Sequence, residues 1–179
     1  MTHSTHRCGA AASPMRLGSI AAALLAILAL TVARDARSAT SSGSLAVSGT
    51  ISATCAVNAS SLAFGTINPV LNTNLDVTGT VSVSCTNSTT YNVGLDAGGG
   101  SGATITNRKM TSGGNTLTYQ IFRDSGRTQN WGNTVGTDTV SGTGNGSAQS
   151  ITAYGRIPSG QTSAVVGSYT DTVTITITY

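Results

Sequence analysis

The clearest signal along this chain is alternation. In residues 168–179, SYTDTVTITITY, the side chains of Val173, Ile175, Ile177 and Tyr179 alternate with Thr172, Thr174, Thr176 and Thr178. A period of two built largely from β-branched residues predicts a strand with one apolar face and one hydroxylated face. The alternation reaches Tyr179, the final residue, so the cover for that apolar face is expected from an earlier segment or from another molecule. The same period recurs in residues 40–58, where Leu45, Val47, Ile51, Ala53, Cys55 and Val57 share one parity. Gly43, Ser44, Ser48, Gly49 and Ser52 thin that segment, which reads as one long strand or as two broken near Gly49. Residues 75–85 alternate again, and 91–95, 117–123 and 150–157 add further strands. A short apolar piece at 62–67 runs into an Asn68-Pro69 turn. Residues 87–90 and 98–102 and Asp124-Ser125-Gly126 also read as turns, and 132–146 as a polar stretch with few anchors. No segment carries a helical period. Short strands separated by turns predict an all-β sandwich.

The first 39 residues follow a different rule. Arg7 and Arg16 precede an apolar run over residues 17–32, and small residues follow it. A basic start, a short apolar middle and a small-residue exit predict a secretory signal peptide over residues 1–39, cleaved between 33 and 39. The run is too short and too rich in Ala for a membrane span. Export to the periplasm and then to the cell surface is the expected route. Cys8 lies ahead of the run and would leave with it.

Charge then changes meaning. The whole chain carries a net charge of +3. From Thr40 onward, Arg108, Lys109, Arg123, Arg127 and Arg156 are matched by Asp76, Asp96, Asp124, Asp138 and Asp171. The excess belongs to the leader, so nothing here argues for nucleic acid as a partner. The length beyond the leader suits one domain.

Two cysteines remain, Cys55 and Cys85. Cys55 is in phase with Ile51 and Val57, and Cys85 with Val81 and Val83, so both sulfurs face an apolar side. In an exported chain this pair predicts a disulfide, the alternative being two buried free thiols. The bridge would stabilise by roughly 3–4 kcal/mol in a chain-entropy account.

Chemistry is sparse. There is no Glu, and both His residues precede the apolar run. Acid–base work would fall to five scattered Asp, and nucleophilic catalysis would lack its usual base. No His/Cys cluster has zinc spacing. The GGGSG stretch is followed neither by Gly-Lys-Ser/Thr nor by a helix, so it reads as a turn rather than a phosphate loop. Asp124 and Arg127 fit a turn better than a binding pair, and Trp131 fits a loop anchor better than a ligand platform. The Asn-X-Ser/Thr matches at Asn58, Asn87 and Asn145 carry little weight in a chain this rich in Ser and Thr. No enzyme activity, cofactor or metal is expected.

Several segments taken in order resemble the spore coat protein U domain family, which includes the major pilin subunits of archaic chaperone–usher pili. They are LTYQIFRD from Leu117, then Trp131-Gly132, then YGRIP from Tyr154, then GSYTDTVTITITY from Gly167. The resemblance covers residues 40–179, and Cys55 and Cys85 fit the family's disulfide. It implies an incomplete immunoglobulin-like β-sandwich: six strands plus an N-terminal donor strand, with the segment ending at Tyr179 as the sixth. It also implies a set of partners. A periplasmic chaperone would fill the open groove first, and an outer-membrane usher would exchange it for the N-terminal segment of another copy or a related pilin. Each subunit then donates one strand and accepts one, a head-to-tail joint that builds a fibre.

On this reading residues 40–50 are the donor segment and 51–179 the pilin domain. Leu45 and Val47, extended to Ile51, would fill a neighbour's groove. Val173, Ile175, Ile177 and Tyr179 would form the groove's edge strand. The simpler alternative makes residues 40–58 the first strand of their own complete domain. A secreted coat protein and a carbohydrate-binding sandwich are the competing functions. A lectin-like module should show clustered exposed aromatics or a metal-ligand loop, and this chain has one Trp and no acidic cluster.

Overall fold

The computed structural model describes residues 38–179, so the leader lies outside the described residues except for its last two positions. The chain divides into two units, Met1–Ala46 and Val47–Tyr179. In the first, residues 38–46 have no regular structure and are exposed.

The second unit is all-β among its regular elements, apart from one 3-10 turn, Pro69–Leu71. Eight strands form: β1 Cys55–Ala59, β2 Leu75–Cys85, β3 Thr90–Leu95, β4 Arg108–Ser112, β5 Asn115–Phe122, β6 Val140–Thr143, β7 Ala148–Ile157 and β8 Ile175–Thr178. They make two antiparallel sheets, one in the order β1-β2-β7-β5-β4 and one in the order β6-β3-β8. The long β2–β7 ladder, from Leu75 opposite Ile157 to Ser84 opposite Ala148, is the spine of the larger sheet.

Period two explains the core. Val81, Val83 and Cys85 of β2, Leu117, Tyr119 and Ile121 of β5, and Ala153 and Ile157 of β7 point inward and are buried. Tyr91, Val93 and Leu95 of β3 close the core from the smaller sheet. Gly155 sits on the inward face of β7 for a steric reason. The segment after β1 crosses the sheet there, and a Cβ at 155 would lie 2.8 Å from Leu62 Cδ2 and 3.1 Å from Phe64.

The sandwich therefore forms as the alternation predicts, with two strands beyond the six expected. β4 (RKMTS) holds one apolar residue and β6 (VSGT) one, so neither shows a period. They form by pairing, β4 with β5 and β6 with β3. The N-terminal strand is shorter than its alternation: pairing starts at Cys55, opposite Cys85. β8 is also shorter, its ladder with β3 running only from Ile175 to Thr178.

Candidate functional site

β1 and β8 are edge strands of different sheets, and they lie close together without pairing. Each offers an unpaired backbone edge among the described residues. Between the sheets at these edges is a cavity of about 350 Å³, lined by Leu62, Phe64, Val81, Leu95, Ile121, Val173 and Ile175 among others. Val173, Ile175 and Ile177 are only half-buried, and Tyr179 is 57% exposed. The apolar face of the terminal segment thus packs on the core from one side and stays open on the other.

Two carboxylates hold the start of this segment. The Asp96 side chain accepts from Thr174 N and from Gly98 N, both at 2.9 Å. The Asp171 side chain accepts from the Tyr119 hydroxyl at 2.6 Å, and from Gly99 N and Thr172 N, both at 2.8 Å. Gly98 has φ +80°, and a Cβ there would run into the Asp171 carboxylate, so this turn requires glycine. Burial, with Asp171 as hydrogen-bond acceptor, pushes the Tyr119 phenol well above its usual range, so it stays a neutral donor. Burial alone would raise Asp96, but the hydrogen bonds from Thr174 and Gly98 and the charge of Arg108 bring it below its ordinary value of 3.8.

That sign gives a prediction. A carboxylate whose folded pKa is depressed contributes stability above its unfolded pKa and loses it as pH falls through the folded value. Asp76, held down first by its hydrogen bond from Arg156, and Asp124, held down first by Gln129 N, act in the same direction. The thermal midpoint should be flat from neutrality to about pH 5 and fall below about pH 4. Asp96→Asn should make that acid limb shallower, as read by circular dichroism.

Arg108 fixes the loop beneath these carboxylates. Its guanidinium is fully buried and donates to four carbonyls: Asp96 O at 2.8 Å, Ile105 O at 3.1 Å, Leu95 O at 3.2 Å and Trp131 O at 2.7 Å. Trp131 is fully buried as well, and its indole donates to Val93 O at 2.8 Å, which makes it the loop anchor. Asp124 caps its turn through Thr128 and Gln129, while Arg127 reaches Asp76 at 3.4 Å instead.

The cysteines meet. Cys55 and Cys85 form a disulfide that ties the first residue of β1 to the last residue of β2. Replacing both by Ser should lower stability by about 3–4 kcal/mol, measured as the loss in denaturant midpoint against the oxidised parent. Just before Cys55, Thr54 N donates to Thr86 Oγ1 at 3.1 Å and Thr86 N donates to Thr54 O at 2.9 Å. Farther toward the N-terminus the segment has no strand partner among the described residues. Leu45, Val47 and Ile51 are 88%, 87% and 87% exposed.

Of the residues expected from the sequence, Val173 and Ile175 line the cavity, Ile177 continues the strand beyond it, Tyr179 borders a separate recess, and the cysteines pair. Leu45, Val47 and Ile51 are exposed, and Ile51 borders a shallow recess with Thr86 and Tyr179. Arg108, Asp96 and Asp171 were not foreseen. For Asp171 a signal existed: it shares the parity of Val173, Ile175 and Ile177, and a carboxylate on an apolar face needs dedicated partners. For Arg108 there was none, since no alternation surrounds it.

Residues 41–176 match the Spore Coat Protein U domain. The chain belongs to that family. Within it, Protein U of Myxococcus xanthus is 34% identical over 173 residues, covering 88% of this chain and 96% of that protein. Among solved structures, the fold is similar to a chain of the CsuC–CsuE chaperone–tip adhesion subunit pre-assembly complex from the archaic chaperone–usher Csu pili of Acinetobacter baumannii. That match has a TM-score of 0.54 at 23% identity and covers 73% of this chain. This chain spans 40% of the length of the matched one. A Spore Coat Protein U domain with this sandwich thus has the fold seen in a chaperone–subunit assembly, and two free edges flank its open cavity.

Proposed function

We propose that this protein is a structural subunit of a surface fibre, exported through the chaperone–usher route and polymerised by donor-strand exchange. The observation that carries the reading is a mismatch within one molecule. The groove between β1 and β8 is open and apolar, while Leu45, Val47 and Ile51 of the same chain are exposed and unpaired. Their spacing fits. Leu45 to Ile51 spans six residue-to-residue steps, about 20 Å when extended, and so does Val173 to Tyr179. Burying three aliphatic side chains is worth on the order of 5–9 kcal/mol before ladder hydrogen bonds and ordering costs.

Residues 40–50 then serve as the donor, and residues 51–179 as the accepting domain. A periplasmic chaperone covers the groove during transit, and an outer-membrane usher presents it to the next copy. The fibre would support surface adhesion and biofilm formation. A second destination is favoured by the family's description and by the likeness to Protein U: a cell or spore coat built with the same joint.

Recovery from the periplasm tests the proposal. The protein should appear as a ladder of multimers that survives cold detergent and collapses to one band on boiling, or as a complex with its chaperone. A stable, soluble monomer with no tendency to associate would overturn it.

A further inference from the structure

A second apolar surface lies at the end of the sandwich opposite Cys55. There the Pro69–Leu71 turn exposes Val70 and Leu71 (80% and 65%), and the segment after β7 exposes Val165 and Val166 (53% and 102%). Val165 and Val166 border a cleft of about 630 Å³ that also takes in Ile67 and Leu117. Leu71 borders a second recess that shares those same two residues, so Leu71, Val165 and Val166 rim one end of the sandwich, with exposed Val70 next to Leu71 in the chain. No acidic or basic residue lines either recess. Soluble domains seldom leave such a cluster uncovered without a partner. The cleft also continues the groove: the groove lining stops at Phe64 and Asp171, and the cleft lining starts at Gly65 and Tyr169.

The tether names the occupant, given the donor-strand reading above. Ser52 and Thr54 already bond to Thr86 of their own body, directly after Ile51. With Ile51 in a neighbour's groove, the donating body begins one residue later, within about 4 Å of chain. The two bodies must therefore touch at one mouth of the groove. Ile51, Thr86 and Tyr179 line a common recess, so the mouth at Tyr179 is at the same end as the exit of the extension. Joining there would set like ends together, and successive copies would fold back instead of advancing. An advancing fibre uses the other mouth, beside Asp171 and Tyr169, where the apolar cleft opens. We propose that the surface formed by Val70, Leu71, Val165 and Val166 seats the Cys55 end of the donating copy. Each joint then carries a body-to-body contact besides the inserted strand.

The test is Leu71→Asp with Val166→Asp in the full-length exported protein, compared with wild type by negative-stain microscopy and by circular dichroism. Both side chains are exposed, so the fold should be retained. Wild type should form fibres, and the variant should form fibres whose persistence length is less than half the wild-type value. Loss of fibres by a folded variant supports the contact equally. Unchanged fibre stiffness overturns this contact and leaves the donor strand standing. A wild type that forms no fibres overturns both. Should the Asp variant misfold, Val165→Ser with Val166→Ser is read by the same criteria.

Discussion

Replacing Leu45 and Val47 by Asp abolishes fibre growth and leaves the domain folded, if the N-terminal segment is the donor. Both side chains are almost fully exposed in their own chain, so their loss removes no packing there. In a neighbour's groove each contributes about 1.5–3 kcal/mol of burial, and each introduced carboxylate adds a desolvation cost. Losing roughly 3–6 kcal/mol of burial lowers the joint's affinity by about two to four powers of ten. Electron microscopy should show no fibres, while circular dichroism and the thermal midpoint match the parent. Deleting residues 40–50 should do the same and leave a body still captured by a chaperone. Fibres at wild-type density from either variant would show that the segment is not the donor.

Replacing Arg108 by Met should destabilise the domain by about 3–5 kcal/mol. The hydrophobic volume is nearly kept, so the loss reports the hydrogen bonds. Four carbonyls, buried at Leu95 and Trp131 and partly buried at Asp96 and Ile105, lose their common donor at once. Arg108→Lys should recover only part of this, because an ammonium cannot reproduce the planar fork. Because Asp96 bonds to Thr174, the loss also loosens the anchor of β8. Denaturant unfolding checks the size of the effect, and hydrogen exchange at Thr174 N checks where it spreads. A drop below about 1 kcal/mol would mean that water satisfies these carbonyls without cost.

What the sequence made legible follows from period. The long ladders of β2 and β7, the inward face of β5 and the alternation toward Tyr179 all rest on side chains that alternate with the pleat, and they appear where expected. The Cys55–Cys85 pair was legible for the same reason, since parity placed both sulfurs on the core side. β4 and β6 were not legible: each is stabilised by neighbours far away in sequence, and RKMTS and VSGT carry no pattern of their own. The extent of β1 was overestimated because alternation records which face is apolar, not which molecule covers it. From Leu45 to Ile51 the pattern is that of a strand, yet no strand among the described residues pairs with it. The carboxylate anchors escaped because each has a partner far away in sequence. Thr174 N reaches Asp96, and Gly99 N and the Tyr119 hydroxyl reach Asp171, only after folding.

The most direct measurement asks which molecule supplies the cover for the terminal strand. A full-length chain carrying both Val47→Cys and Ile177→Cys, oxidised after assembly and boiled in detergent without reductant, reports it. Donor-strand exchange predicts a ladder of covalent multimers, because the thiol introduced at position 47 of each copy meets the thiol introduced at position 177 of another. A monomer with an internal bridge between positions 47 and 177 would place the segment in its own groove and contradict the proposed joint.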